Sequence, residues 1–283
     1  DVGMVALSSS TPQLANLSFV DSSGGISHIQ NEGGHMGWKF VDLNQDGDLD
    51  IITNGGRKPA SGEARLWSFY GNGDGTWQES SKSSGVTKIP HSSHGGVGAA
   101  DIDNDGDIDI GAGSHGWSPV EAYINGGSGS WTSASKGLTD EYDGYSIEFG
   151  DYNNDGYVDL LIGGFWSMNL SAYINDKKGG WVRADNGLVG GWSSSMYGEF
   201  GDIDRDGHLD IAGNSGHGHW IWFGDSNGTW KQSSLPIDPE AMYGRTVSLG
   251  DVNGDGYLDF AAPDFSFGPY IFLGPVSYTH LTL

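Results

Sequence analysis

The sequence predicts an all-β protein, a β-propeller of four-stranded antiparallel blades. Two observations carry that expectation. A nine-residue acidic pattern occurs five times, at 42–50, 101–109, 151–159, 202–210 and 251–259, with starts 59, 50, 51 and 49 residues apart. The stretches on either side of it alternate apolar and polar residues, the period of a strand with one buried face. A repeat of about 50 residues means stacked supersecondary units. Four short strands in that length make one propeller blade.

The pattern itself comes first. Positions 1, 5 and 9 are Asp in every copy, position 3 is Asp or Asn, and position 6 is Gly. Oxygen ligands at alternate positions are what a hard cation with six to eight ligands needs, and the Gly lets the chain curl round it. Position 7 varies, which fits a backbone carbonyl ligand. Asp at position 9 would then close the shell. The expected ligand sets are Asp42, Asn44, Asp46, Asp48 and Asp50; Asp101, Asp103, Asp105, Asp107 and Asp109; Asp151, Asn153, Asp155, Tyr157 and Asp159; Asp202, Asp204, Asp206, His208 and Asp210; and Asp251, Asn253, Asp255, Tyr257 and Asp259. Ca²⁺ suits them better than Mg²⁺, which keeps its waters, so up to five Ca²⁺ ions are expected. Plain Asp-Gly turns are the alternative, but five copies with ligand-type residues at four fixed positions favour calcium. The third and fifth loops hold three Asp each and are expected to bind more weakly. The second holds five and is expected to bind best, or to be the most strained when empty. An EF-hand is excluded, because position 12 is Thr53, Ala112, Ile162, Gly213 or Ala262 and never Glu.

The flanks follow. Positions 8 and 10 are apolar in all copies (Leu49/Ile51, Ile108/Ile110, Val158/Leu160, Leu209/Ile211, Leu258/Phe260), and Trp38/Phe40, Val97/Ala99, Ile147/Phe149 and Val247/Leu249 alternate before the loops. Each loop therefore joins two antiparallel strands. A third strand leads to a turn with Gly two residues before a Trp, at 71–77, 125–131, 175–181 and 224–230. Such turns are hairpin chemistry. Trp77, Trp131, Trp181 and Trp230 recur at one structural position and are expected in the core.

Here the chain resembles the FG-GAP/VCBS family of calcium-loop propeller repeats, found in integrin α-subunit heads and many secreted microbial proteins. The resemblance rests on the nine-residue loop and covers residues 34–274. It implies a propeller, most often of seven blades, in a family that includes adhesins, lectins and modules attached to enzymes. Residues 1–33 read as the end of a preceding or closing blade. The repeats divide at about 34–90, 91–140, 141–191, 192–240 and 241–275. Residues 276–283 match nothing in the repeat and read as a non-native tail. The chain is then either part of a larger propeller or a five-bladed ring closed by its N-terminal strand.

Composition narrows the function. At 283 residues the chain can bury a full core, and no linker divides it. There is no Cys, so no disulfide framework. No apolar run reaches the length of a membrane span. Net charge is −24, and the five loops hold 19 of the 37 acidic residues. A nucleic-acid partner is not expected, since no basic patch is present to neutralise phosphates. Calcium sites of ordinary affinity stay filled outside the cell, so a secreted or surface location is expected.

The connections on the face opposite the calcium loops are variable and rich in aromatics. They supply the candidate ligand residues Trp117, Trp166, Trp192, Tyr145 and His94, whose rings beside amide and acidic groups suit a glycan. No catalytic motif is visible, and the acidic cluster Asp140, Glu141 and Asp143 reads as a solvated loop. The ranking is an adhesion or binding module for glycan or extracellular protein first, a structural spacer second, and part of a polysaccharide-degrading enzyme third.

Overall fold

The computed structural model describes residues 21–26, 37–54, 66–80, 85–86, 89, 95–114, 119–138, 144–164, 170–188, 197–215, 218–225, 227–233, 246–264 and 268–274. All regular elements among them are strands. The first blade is β1 (Trp38–Val41), β2 (Asp50–Asn54), β3 (Leu66–Gly71) and β4 (Trp77–Glu79). The second is β5 (Val97–Ala100), β6 (Asp109–Ala112), β7 (Glu121–Asn125) and β8 (Trp131–Ser133). The third is β9 (Gly144–Gly150), β10 (Asp159–Gly164), β11 (Ser171–Asn175) and β12 (Trp181–Arg183). The fourth is β13 (Gly198–Gly201), β14 (Asp210–Ser215), β15 (Gly218–Gly224) and β16 (Trp230–Gln232). The fifth has three strands among the described residues, β17 (Ser248–Gly250), β18 (Asp259–Asp264) and β19 (Gly268–Phe272). Within every sheet each strand pairs antiparallel with the next in sequence. Each acidic loop therefore joins a first strand to a second, as its alternating flanks require.

The first strands of successive blades touch (β1 to β5, β5 to β9, β9 to β13, β13 to β17), so they line the propeller axis. The core lies between blades rather than within them. Leu43, Ile52 and Leu66 of the first blade pack with Val97, Ile110 and Tyr123 of the second. Ile102 and Val120 meet Ile147, Leu160 and Trp181 of the third. Leu161 and Leu170 meet Ile211, Trp222 and Trp230 of the fourth, and Ile203 and Ala212 meet Val247 and Phe260 of the fifth. A four-stranded sheet buries two faces only by stacking on its neighbours, which explains the period of the sequence.

Two devices repeat at these joints. The first is a notch. The glycine ending one blade's first strand leaves room for side chains of the next: an added Cβ at Gly150 would meet Leu209 and Phe200, and at Gly201 it would meet Leu249 and Leu258. The corresponding Gly250 has nothing within 4 Å. At the other end Phe40 and Leu49, which correspond to Phe200 and Leu209, are 50% and 60% exposed. The alternation of β1 thus presents its apolar face outward, because the surface such a face packs against is the preceding blade.

The second device is a Trp lock. Trp181 donates its backbone N–H to Lys136 O (2.8 Å) and its indole Nε1 to Ala134 O (2.8 Å) in the preceding connection. Trp230 does the same to Asn186 O and Ala184 O (2.8 and 3.2 Å), and Trp77 to Gly24 O and Ser22 O (3.1 and 2.7 Å). Gly187, at φ +90°, lies directly under the Trp230 carbonyl. The recurring Trp residues are thus interblade, as expected of core, with Trp181 and Trp230 buried and Trp77 and Trp131 half-buried. Of these four Trp residues, Trp131 alone has a buried indole nitrogen without a hydrogen-bond partner.

Gly187→Ala would place a Cβ on the Trp230 backbone in a conformation that L residues rarely adopt. We expect a loss of about 1–3 kcal/mol in a urea unfolding series. Gly250→Ala, facing open space, is expected to change stability by less than about 0.5 kcal/mol.

Candidate functional site

The five acidic loops curl in the same way. The position-1 carboxylate accepts the N–H groups of positions 5 and 6: Asp42 from Asp46 (3.1 Å) and Gly47 (3.0 Å), Asp101 from Asp105 and Gly106 (3.1 and 3.0 Å), Asp151 from Asp155 and Gly156 (2.9 and 2.8 Å), and Asp251 from Asp255 and Gly256 (3.1 and 2.8 Å). In the fourth loop Asp202 Oδ2 accepts from Gly207 (3.2 Å). The position-7 N–H groups of Asp48, Asp107, Tyr157, His208 and Tyr257 each donate to Oδ1 of the position-5 Asp at 2.9–3.0 Å. The position-6 glycines have φ between 85° and 96°, which is why Gly is fixed there.

The structure adds a role at position 9. These aspartates are the most buried charged residues among those described: Asp50, Asp109, Asp159 and Asp210 are 0% exposed and Asp259 is 1%. Each uses both oxygens. Asp109 accepts the N–H of Ile102 in its own loop and of Asn125 at the end of β7, both at 2.7 Å. Asp50 holds Leu43 and Gly71, Asp210 holds Ile203 and Gly224, and Asp259 holds Val252 and Gly274, all at 2.7–2.9 Å. Asp159 holds Asn175 at 3.0 Å and Asn153 at 3.4 Å. The residue read as closing a metal shell therefore also staples the loop to the third strand. Burial pushes Asp109 and Asp159 up to about 7 and Asp210 up to about 6, against the lowering effect of the backbone donors.

Do these residues suit a metal? In the second loop, carboxylate oxygens of Asp101, Asp103 and Asp109 lie within 4.8 Å of one another, and in the fourth those of Asp202, Asp204 and Asp210 do so. Asp202 Oδ1 is buried without a hydrogen-bond partner. A carboxylate oxygen accepting one N–H keeps a lone pair for an ion. These two clusters can hold a metal ion, and their all-oxygen donors select a hard one. The other three loops have Asn at position 3, which closes on the neighbouring carboxylate instead: Asn44 Nδ2 to Asp46 (2.8 Å), Asn153 to Asp155 (3.1 Å) and Asn253 to Asp255 (2.9 Å). In the third loop Lys177 also stands 3.2 Å from Asp155, an internal cation beside a prospective ligand.

One feature of the loops escaped sequence reasoning. Position 4 adopts the left-handed conformation throughout, with Gln45, Asn104, Asn154 and Arg205 at φ 57–65° and Gly254 at 75°. The signal was present in the sequence: Asn, Asn and Gly at one position are the residues that tolerate it.

Of the residues proposed for a ligand face, Trp117, Trp166, Trp192 and His94 lie outside the described residues, as do Asp140, Glu141 and Asp143. Tyr145 sits in β9 at 4% exposure, where its ring is packed rather than presented. The structure offers a different place. A cleft of about 350 Å³ opens on the acidic-loop face between the first and second blades. Asn44, Gln45, Asp107 and Asn125 bring amide and carboxylate groups to it, and Tyr70 and Trp131 bring rings. It lies at the joint where the Trp indole finds no acceptor. There the run from Trp77 to Val86 is nine residues, whereas Trp131 to Leu138 and Trp181 to Leu188 are seven.

A second polar cluster lies on the axis. Lys39 of β1 reaches both oxygens of Glu148 of β9 (2.7 and 2.9 Å). Glu199 of β13 accepts the Leu249 N–H at 3.2 Å, and burial and then Glu148 hold its carboxyl above the usual range.

The family model of the FG-GAP-like repeat matches residues 42–112, 101–162 and 202–262. The chain belongs to that family. None of the curated proteins compared matches this FG-GAP chain. Among solved structures, an Agrocybe aegerita lectin that recognises non-reducing terminal N-acetylglucosamine superposes with a TM-score of 0.54 at 17% identity, over 81% of this chain and 60% of the lectin. The V. cholerae biofilm matrix protein Bap1 gives 0.47 at 16% identity, over 84% of this chain and 36% of that one. The rhamnogalacturonan lyase YesW gives 0.48 at 15%, over 83% and 48%. The FG-GAP chain thus spans at most about three-fifths of these proteins, and its likeness to the lectin is one of fold.

The position-9 staple separates from metal binding by mutation. Asp109→Asn leaves at least one buried N–H facing an amide, and we expect a loss of about 1–3 kcal/mol even in excess chelator. Asp105→Asn keeps the oxygen that Asp107 N–H needs. Its stability in chelator is expected within about 0.5 kcal/mol of the parent. Urea titrations of both variants with chelator test this.

Proposed function

We propose that this chain is an extracellular, calcium-dependent propeller module that binds glycan in the cleft between its first two blades. The observation that carries the reading is the composition of that cleft: two aromatic side chains beside amide and carboxylate groups, in a volume of about 350 Å³. Ring faces stack on sugar C–H surfaces while the polar groups bond hydroxyls. Calcium is the ion supported best. The loops give only oxygen ligands, with a carboxylate-rich core and a Gly-driven curl. Residues at positions 1, 3, 5 and 9 and the position-7 carbonyls would hold it. The ion would neutralise the converging carboxylates and fix the loops that form one wall of the cleft. A cation of moderate affinity stays bound in calcium-rich surroundings, which supports an extracellular setting. The fold shared with an N-acetylglucosamine-specific lectin is consistent with sugar recognition.

A second reading is favoured by one observation. Glu148 and Glu199 are carboxylates outside the loops, on the neighbouring first strands β9 and β13. Both are already engaged, Glu148 by Lys39 and Glu199 by the Leu249 N–H. Binding therefore ranks ahead of catalysis.

A glycan array probed in millimolar calcium tests the reading. Calcium-dependent binding is expected. It should be abolished by Ser128→Trp, which fills the cleft from an exposed turn, and weakened at least about tenfold by Tyr70→Ala. Binding that survives Ser128→Trp would place the ligand elsewhere. Calcium at a hundred times its Kd should stabilise the fold by about 2.7 kcal/mol per independent site. An unchanged melting temperature in chelator would sink the calcium assignment.

A further inference from the structure

The position-4 side chains do not stay in their own loops. Gln45 of the first loop donates through Nε2 to Gly106 O (2.6 Å) and Asp107 Oδ1 (2.9 Å) of the second. Asn104 of the second donates to Gly156 O of the third (2.8 Å). Asn154 of the third donates to Gly207 O of the fourth (3.1 Å), and its Nδ2 lies 2.9 Å from His208 Nδ1. Arg205 of the fourth lays its guanidinium over the Tyr257 ring of the fifth, 4.9 Å from the centroid. All four joints are crossed, in one direction, from position 4 to positions 6 and 7 of the next loop. The fifth loop, last in the row, has Gly254 there and no side chain to send on.

We propose that these crossings couple the five metal loops, so that calcium fills them cooperatively along the row. The inference rests on the calcium reading above. Position 4 lies between two ligand positions, 3 and 5. Its side chain crosses the joint from a left-handed backbone, which costs free energy for a residue other than Gly and holds only while the loop is curled. At the first three joints the group it grips is the carbonyl of position 6. That carbonyl shares a peptide plane with the position-7 N–H, which is itself held by the position-5 carboxylate. Both ends of the plane are then pinned. The next carbonyl along is the position-7 oxygen, the expected backbone ligand. An ion that orders one loop thus sets a ligand of the next, and by reciprocity the next orders the first. At each of the first three joints the amide-to-carbonyl hydrogen bond corresponds to roughly a two- to tenfold gain in affinity for each neighbour already filled.

The test is a calcium titration of the full chain by isothermal calorimetry, with equilibrium dialysis to count ions. The comparison is with Asn104→Gly/Asn154→Gly. Glycine keeps the left-handed backbone, as Gly254 does naturally, and removes only the crossing groups. We expect a Hill coefficient above 1 in the parent, falling towards 1 in the variant with the number of ions unchanged. Gln45→Gly breaks a different joint and should lower the coefficient by itself, which provides a second route if the double variant does not fold. A coefficient of 1 in the parent, or one unmoved by either variant, would overturn the coupling and leave the calcium reading intact. Absence of calcium binding by a folded chain would overturn that reading and the coupling with it.

Discussion

The buried aspartate at position 9 is the interaction on which the rest of the molecule depends. A carboxylate with no solvent exposure loses its hydration, and an isolated one would take up a proton instead. Here two backbone N–H groups, one from the loop and one from the end of the third strand, take water's place. Those N–H groups belong to a loop and a strand end with no ladder partner for them, so the same bonds satisfy both sides. The result ties the loop to the outer half of its own blade. A blade cannot form without placing its loop, and the loop cannot be lost without unpinning the blade. Blade and acidic loop are for this reason one device, repeated five times.

Repetition also shows where the molecule departs from its own rule. Trp77, Trp181 and Trp230 lock their blades to the preceding connection, and Trp131 does not. The connection before it is longer by two residues, and the cleft opens at that joint. A regular propeller closes its joints because the interblade core is its main source of stability. An open joint gives up part of that burial and leaves an indole N–H without an acceptor, a cost of about 1–3 kcal/mol. A feature that costs stability and creates a concave, mixed aromatic and polar surface is where binding is best sought.

Much of this was legible in the sequence. The period, the alternation at positions 8 and 10 and the Gly-x-Trp turns follow from local rules, and the blades match them in order and pairing. The ligand-type residues are local too, because alternate oxygens in one loop need no knowledge of the rest of the chain. What could not be read depends on how two blades meet. Asp109 is a prospective ligand by spacing, and only the return of β7 to its side shows it to be a staple. The left-handed position 4 was signalled by Asn104, Asn154 and Gly254, yet the reach of Gln45 to Gly106 spans 61 residues. The cleft has no motif at all. It lies at the joint whose connection is two residues longer, and Trp117, Trp166, Trp192 and His94 lie outside the described residues.

Electrostatics explains why neighbouring loops should be linked. Their carboxylates number four, five, three, four and three, and they stand side by side on one face of the propeller. Like charges so placed repel, and in the second loop burial, then Asp105 and Asp101, hold the Asp103 carboxyl above the usual range. A bound divalent cation removes that repulsion locally, but it also repels an ion entering the next loop. Independent sites would therefore fill with falling affinity. The groups that cross the joints are amides and one guanidinium, never carboxylates. The amides bring donors to carbonyls of the next loop, and the guanidinium lies over its Tyr257 ring. The crossings oppose ion–ion repulsion by mechanical ordering, and the direction of the row from Gln45 to Tyr257 follows the winding of the blades. The sense of the coupling is thus built in by chain topology, while its strength is left to the residue at position 4.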